Sequence, residues 1–121
     1  MRRALGLLAA AVVLAAPAAA AARPTAVGVG EREWRVALYR HWVPAGVVKF
    51  NVKNFGEDGH DLVVRNRRGV VRARLPEIEP GATASVTARL MRRGRYTVYC
   101  SLPGHRELGM RAVLRVRAKR R

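Results

Sequence analysis

The chain has 121 residues, of which 24 are Lys or Arg and 8 are Asp or Glu, and its formal net charge is +16. This length allows one small domain at most, and the charge favours anionic partners such as an acidic protein face or a membrane surface. The basic residues are nearly all arginine and are spaced among hydrophobic residues, which is typical of solvated strand faces, so we expect no binding to nucleic acid.

The first 22 residues have the pattern of a secretory signal peptide. A short basic start, Met1-Arg2-Arg3, precedes an apolar stretch that ends in alanines offering Ala-x-Ala cleavage sites. Residues 4–22 carry no charge, so a retained membrane anchor is the alternative, but this length barely spans a bilayer and alanine is weakly apolar. We therefore expect a Sec-type signal peptide at residues 1–22 and a periplasmic or extracellular domain at residues 23–121.

Short alternating runs of apolar and polar residues fill the rest of the chain. They are found at 34–38, 48–52, 84–90, 96–100 and 113–118, with Gly, Pro and Asn turn signals between them. Alternation of this kind predicts half-buried strands, and turns at short intervals indicate a sandwich or a barrel. No segment after residue 22 has a helical period, so the predicted fold class is all-β.

The only cysteine, Cys100, lies in the segment CSLPGHRELGM. A lone cysteine in an exported protein indicates an intermolecular disulfide, a free thiol or a metal thiolate. Cys100 has the same strand parity as Tyr96 and Val98, so its sulfur should point into the core at one end of the sheet. The tight loop that follows can bring His105 and Met110 to this sulfur. A thiolate, an imidazole and a thioether are donors that together suit copper.

A blue copper centre has a second histidine, and His60 is the candidate. It lies between a glycine-rich turn and an apolar strand in GEDGHDLVV, 40 residues before Cys100, which is compatible with a neighbouring strand in a Greek key. His41 has no soft donor nearby in sequence, and we interpret it as a structural or surface residue.

The segments NFGEDGHDLVV and YTVYCSLPGHRELGM resemble the cupredoxins, small type 1 copper proteins related to plastocyanin, azurin and rusticyanin. The resemblance extends over roughly residues 33–118 and implies a Greek-key β-sandwich with one copper ion. It implies a metal site formed by His60, Cys100, His105 and, as the axial ligand, Met110.

One position departs from the family pattern. Many cupredoxins have Asn directly after the first histidine, where this chain has Asp61. Hydrogen bonds around the ligands tune the reduction potential and rigidity of a metal site, so the resemblance implies neither property for this chain. Asp61 and Ser101 are the candidates for this second shell.

The resemblance implies a one-electron carrier and no enzymatic activity. In the resembling proteins the loop histidine is the electron port, and here Leu102, Pro103 and Leu108 would form the apolar patch around His105. The positive charge suggests a redox partner with an acidic docking face, or an anionic membrane surface, and we expect a monomer.

Enzymatic alternatives lack the residues they need. Multicopper enzymes require further histidines, commonly beside the cysteine, whereas Tyr99 and Ser101 flank Cys100. A nucleophilic cysteine paired with His105 would lack an evident orienting group. The remaining alternative is a copper-handling protein for storage, delivery or sensing, although such proteins tend to be richer in Met or His.

Overall fold

The computed structural model describes residues 10–18 and 23–120. Most of the expected signal peptide, at 1–9 and 19–22, and the terminal Arg121 lie outside the described residues. Residues 10–18 have no regular secondary structure, and their side chains are exposed. In the part of the chain that is described, no helix is long and apolar enough to cross a membrane.

Residues 23–120 form nine strands and one helical turn. In chain order they are β1 (Thr25–Arg32), β2 (Arg35–Leu38), β3 (Trp42–Pro44), β4 (Gly46–Asn54), β5 (His60–Arg65), β6 (Val71–Ile78), β7 (Thr83–Leu90), β8 (Gly94–Tyr99), α1 (His105–Leu108) and β9 (Arg111–Arg117). The predicted all-β class is confirmed, and α1 is a single turn within the Cys100–Met110 loop.

Two sheets enclose one hydrophobic core. One has four strands in the order β2-β1-β4-β7, and the other has five in the order β3-β9-β8-β5-β6, which is the Greek-key sandwich expected from the resemblance. The alternating residues of β4 show how the sequence produces this arrangement: Val48, Phe50 and Val52 are fully buried, and Lys49 and Asn51 between them are exposed.

The predicted strands at 48–52, 84–90, 96–100 and 113–118 correspond to β4, β7, β8 and β9. The run at 34–38 forms only the short β2, because Trp34 lies in the turn that precedes it. Strands β1, β3 and β6 lie where no alternating run was recognised.

The pairing of β5 with β8 defines the two ends of the sandwich. These strands are antiparallel, with Val63 opposite Tyr99, so the start of β5 and the end of β8 meet at one end. We call this the site end; the β1–β2 turn, the β4–β5 loop, the β6–β7 connection and α1 also lie there. The opposite, distal end has the β5–β6 and β7–β8 turns, the start of β1 and the end of β9.

Candidate metal centre

Three potential metal ligands converge at the site end. His60 begins β5, Cys100 directly follows β8, and His105 begins α1. The two Nδ1 atoms of His60 and His105 are 3.2 Å apart, and the Cys100 Sγ is 3.6 Å from the Nδ1 of His105. One donor atom from each of the three residues lies within 4.8 Å of the others. His60 and Cys100 are fully buried, and His105 is half-buried.

These distances fit a single ion between the three donors. Imidazole nitrogens bind a transition-metal ion such as Zn²⁺ at about 2.0–2.1 Å, so two imidazole nitrogens around one tetrahedral ion lie roughly 3.4 Å apart. The separation of 3.2 Å between the two Nδ1 atoms is close to that value. A donor set of one thiolate and two imidazoles is typical of blue copper sites, which add a weak axial ligand.

Met110, the fourth ligand expected from the sequence, is joined through its backbone to two of the three donor residues. Its side chain is fully buried. Its backbone N–H donates to the carbonyl oxygen of His105 at 3.1 Å, and its own carbonyl accepts from the N–H of Cys100 at 3.1 Å. The loop therefore closes on itself, with Met110 bonded to both neighbouring candidate ligands.

Two glycines allow this closure. Gly104 and Gly109 flank α1 with φ angles of 80° and 129°, in the left-handed region that favours glycine. A Cβ on Gly109 would also lie 2.9 Å from the backbone oxygen of Trp34. The loop thus packs directly against the β1–β2 turn.

Glu33, in that turn, fixes the orientation of His60. A carboxylate oxygen of Glu33 lies 2.9 Å from His60 Nε2, and the carboxylate accepts the backbone N–H groups of Asp58 and Glu57 at 2.9 and 3.1 Å. These backbone hydrogen bonds, with a smaller contribution from His60, lower the pKa of Glu33 to about 2. An ionised carboxylate only accepts, so Nε2 carries the proton and the Nδ1 lone pair remains free toward Cys100 and His105.

Asp61 joins the two ligand-bearing segments. One of its carboxylate oxygens accepts the backbone N–H of Ser101 at 2.6 Å, and the other accepts the Ser101 hydroxyl. Asp61 and Ser101 directly follow His60 and Cys100, so these bonds fix the spacing between the two ligands. The aspartate at this position thus links the loops, and it does so as an acceptor at both oxygens.

The thiol of Cys100 is a poor metal ligand until it loses its proton. Burial, opposed by backbone hydrogen bonds from Leu102 and Asp61, raises its pKa to about 11. Only the thiolate binds metal, so loading this site must release a proton at neutral pH.

The residues of the predicted apolar patch lie in the same loop as His105, and Trp34 from the β1–β2 turn contacts this histidine as well. Leu102 is half-buried, Pro103 is exposed, and Leu108 is 59% exposed. The indole ring of Trp34 contacts the imidazole of His105 edge-on, with ring centroids 4.8 Å apart. Trp34 itself is 38% exposed, so it forms part of the surface that covers the histidine.

Glu33 and Trp34 were missed because nothing local in the sequence connects them to the site. Glu33 is 27 residues from His60, and the two meet only because β1 ends and β5 begins at the same end of the sandwich. His41, which we interpreted as a surface residue, is exposed and lies before β3 near the distal end.

Comparisons with known proteins agree with this geometry. The family model for copper binding proteins of the plastocyanin/azurin family matches residues 37–117, which include all four candidate ligands. Among solved structures, reduced auracyanin from the photosynthetic bacterium Roseiflexus castenholzii is 17% identical with a TM-score of 0.64, covering 79% of this chain and 99% of its own.

Two further auracyanins are similar to this chain. Auracyanin A, a "blue" copper protein from Chloroflexus aurantiacus, is 19% identical with a TM-score of 0.63, covering 78% of this chain and 100% of its own. Auracyanin B is 20% identical with a TM-score of 0.63, covering 88% of this chain and 94% of its own. Curated protein sequences hold no significant match to this chain.

Proposed function

This chain belongs to the plastocyanin/azurin family of copper-binding proteins, and we propose that it is an exported carrier of single electrons with one type 1 copper ion. The observation that carries the proposal is the convergence of two imidazole nitrogens and one thiol at the site end, all within 4.8 Å of one another. In this proposal His60, Cys100 and His105 would hold the copper ion as strong ligands, and the thioether of Met110 would add a weaker one.

Bound copper supplies the electron exchange, and the protein supplies geometry and environment. Glu33 holds the ring of His60 in the tautomer whose Nδ1 is free. Asp61 holds the His60 and Cys100 segments at a fixed spacing through Ser101. A ligand set fixed in this way changes little when the charge of the metal changes, which favours rapid one-electron transfer.

His105 is the proposed point of electron entry and exit. It is the only one of the three strong ligands that is not fully buried, and Trp34, Leu102, Pro103 and Leu108 form the apolar surface around it. A small apolar contact of this kind suits a brief encounter with a redox partner, in which speed matters more than affinity.

The burial of the site favours electron transfer over copper handling. His60 and Met110 are fully buried and are bonded into the fold, whereas a protein that delivers copper needs ligands that release it. The proposed location is periplasmic or extracellular, in agreement with the signal-peptide pattern of residues 1–22. We propose no catalytic step for this site.

Voltammetry and copper transfer distinguish the carrier from a copper-handling protein. We expect the copper-loaded protein to give one reversible one-electron wave, and its reduced form to keep copper when a Cu(I) chelator is added. Irreversible reduction, or rapid loss of Cu(I) to the chelator, would instead indicate copper delivery.

A further inference from the structure

The charged side chains are divided between the two ends of the sandwich. All 8 acidic residues of the sequence lie at the site end, in or beside the strand ends and loops that meet there. They are Glu31, Glu33, Glu57, Asp58, Asp61, Glu77, Glu79 and Glu107. Five basic residues share that end, namely Arg32, Arg35, Lys53, Arg106 and Arg111. The site end therefore has a formal net charge of −3, and the excess of arginine lies elsewhere.

All charged side chains at the distal end are basic. An open depression of about 720 Å³ lies between the β5–β6 and β7–β8 turns, and seven arginines line it. Arg67, Arg68, Arg92 and Arg93 form its turns and are exposed. In the part of the chain that the structure describes, no acidic side chain pairs with any of these four. Such a surface attracts anions strongly at low salt.

Apolar side chains are exposed among these arginines. Met91 is 55% exposed and Val70 is 49% exposed, and both line the same depression. Trp42 is 48% exposed and lies in register with Arg115, which pairs in turn with Arg95 of the depression. Arginine interspersed with exposed apolar and aromatic residues is typical of surfaces that rest on lipid headgroups.

This surface is poorly placed for a redox partner. It lies at the opposite end of β5 and β8 from His60 and Cys100, and six residues of strand extend about 20 Å. A partner bound there would be separated from the copper ligands by the length of the sandwich. The basic charge of the distal end therefore suits an anionic surface other than that of a redox partner.

The exposed side chains of Met91, Val70 and Trp42 indicate a surface that has apolar groups beneath its anionic ones, as a phospholipid bilayer does. Strand β1 runs parallel to β4, so Thr25 and the exposed Arg23 before it lie at the distal end. The basic residues Lys119 and Arg120 follow β9 at the same end. We infer that the distal end binds the surface of an anionic phospholipid bilayer and so turns the His105 surface away from the membrane.

Vesicle binding tests this inference on the copper-loaded, exported form of the protein. Binding is measured to vesicles of phosphatidylcholine alone and of phosphatidylcholine with an equal amount of phosphatidylglycerol. The anionic preference is the ratio of the two binding constants, so any contribution of a retained apolar segment cancels. Replacing Arg67, Arg92 and Arg93 with Gln should lower this ratio about 100-fold, because each basic residue near an anionic leaflet contributes roughly five-fold.

The matched control removes the same charge from the other end. The triple variant Arg32→Gln, Arg35→Gln and Arg111→Gln replaces three exposed arginines at the site end. We expect it to keep the anionic preference within about three-fold, since these residues would face away from the bilayer. A retained visible copper band in both triple variants shows that both are folded.

The vesicle measurements would overturn the inference in three cases: no preference for anionic vesicles, an equal loss of that preference in both triple variants, or a loss in the control variant alone. Poly-glutamate at the same concentration of negative charge provides a further arm. If it binds the protein as tightly as the anionic vesicles do, the distal end is a general site for acidic polymers and the assignment to a bilayer is wrong. Weak binding of poly-glutamate with tight binding of vesicles supports the bilayer.

Discussion

The two ends of the sandwich are formed by the same strands but differ in chemistry. At the site end, buried donors converge, and hydrogen bonds hold the residues that carry them: His60 bonds to Glu33, and Asp61 bonds to Ser101. At the distal end, exposed arginines lie on two turns without acidic partners among the described residues. The first arrangement binds an ion within the protein, and the second is suited to a charged surface outside it. If the two ends act independently, a substitution at one end should leave the property of the other end unchanged.

The largest expected effect comes from removing a ligand at the site end. His60→Ala should lower the affinity for Cu(II) more than about 100-fold and shift and weaken the visible thiolate band, because loss of a ligand exceeds the 10–100-fold effect of changing a supporting residue. Copper titration followed by visible absorption measures both.

His41→Ala is the matched control, since His41 is exposed near the distal end. It should leave the copper affinity and the spectrum unchanged. A loss of copper binding in His41→Ala would mean that the distal histidine belongs to the metal site.

Glu31 is an acidic residue at the site end that is buried without a hydrogen-bond partner in the described part of the chain, unlike Asp61, which is buried but bonded to Ser101. It is fully buried, and neither carboxylate oxygen has a hydrogen-bond partner among the described residues. Burial, with a smaller contribution from the charge of Asp61, raises its pKa from 4.5 to about 8. A raised carboxyl pKa means that the folded state holds a proton the unfolded state has lost, so stability falls as pH rises from about 5 to 8.

Glu31→Gln should remove this pH dependence and stabilise the protein at pH 8 by on the order of 4 kcal/mol, at about 1.36 kcal/mol for each unit of pKa difference. Urea unfolding of the metal-free protein at pH 5 and pH 8 measures the change. Glu107→Gln, at an exposed carboxyl of the same end, should have no such effect. Equal pH dependence in the wild type and Glu31→Gln would contradict the role of burial.

Glu33 should influence the copper potential through its bond to His60. Its negative charge favours the more positive metal state, so Glu33→Gln should raise the reduction potential by tens of millivolts, which corresponds to roughly a ten-fold loss of Cu(II) affinity. Voltammetry measures the shift. Glu57→Gln removes the same charge nearby without breaking the bond to His60, and an equal shift in that variant would show that charge alone is responsible.

The smallest expected effect concerns Trp34. Trp34→Leu should slow electron self-exchange severalfold, because its ring covers the edge of His105. NMR line broadening in mixtures of oxidised and reduced protein measures this rate. Trp42→Leu removes the second tryptophan of the chain, which lies toward the distal end, and should leave the rate unchanged. Equal slowing in the two variants would argue against His105 as the electron port.

The sequence predicted the strands and ligands that local patterns encode. Alternation identified β4, β7, β8 and β9, and strand parity together with the spacing of Cys100, His105 and Met110 indicated the loop that brings them together. Strand β1 was not recognised because glycines at 28 and 30 occupy its outward positions. In β6, Val71, Ala73 and Leu75 alternate with arginines, but this run was not recognised because Pro76 ends it after five residues.

The sequence could not show the features that depend on contacts between distant segments. The bond of Glu33 to His60 and the contact of Trp34 with His105 arise only when β1 and β5 are placed in different sheets with their ends together. The division of charge has the same origin. The net charge of +16 is evident from composition, but its separation from the acidic residues follows from strand direction and register.

The most direct test of the account is the visible absorption spectrum of the Cu(II)-loaded protein beside that of Cys100→Ser. We expect an intense blue band in the wild type, because a copper–thiolate bond absorbs strongly in the visible, and no such band in Cys100→Ser. A colourless wild-type protein, or a band that persists without the Cys100 sulfur, would contradict a type 1 copper site at this end of the fold.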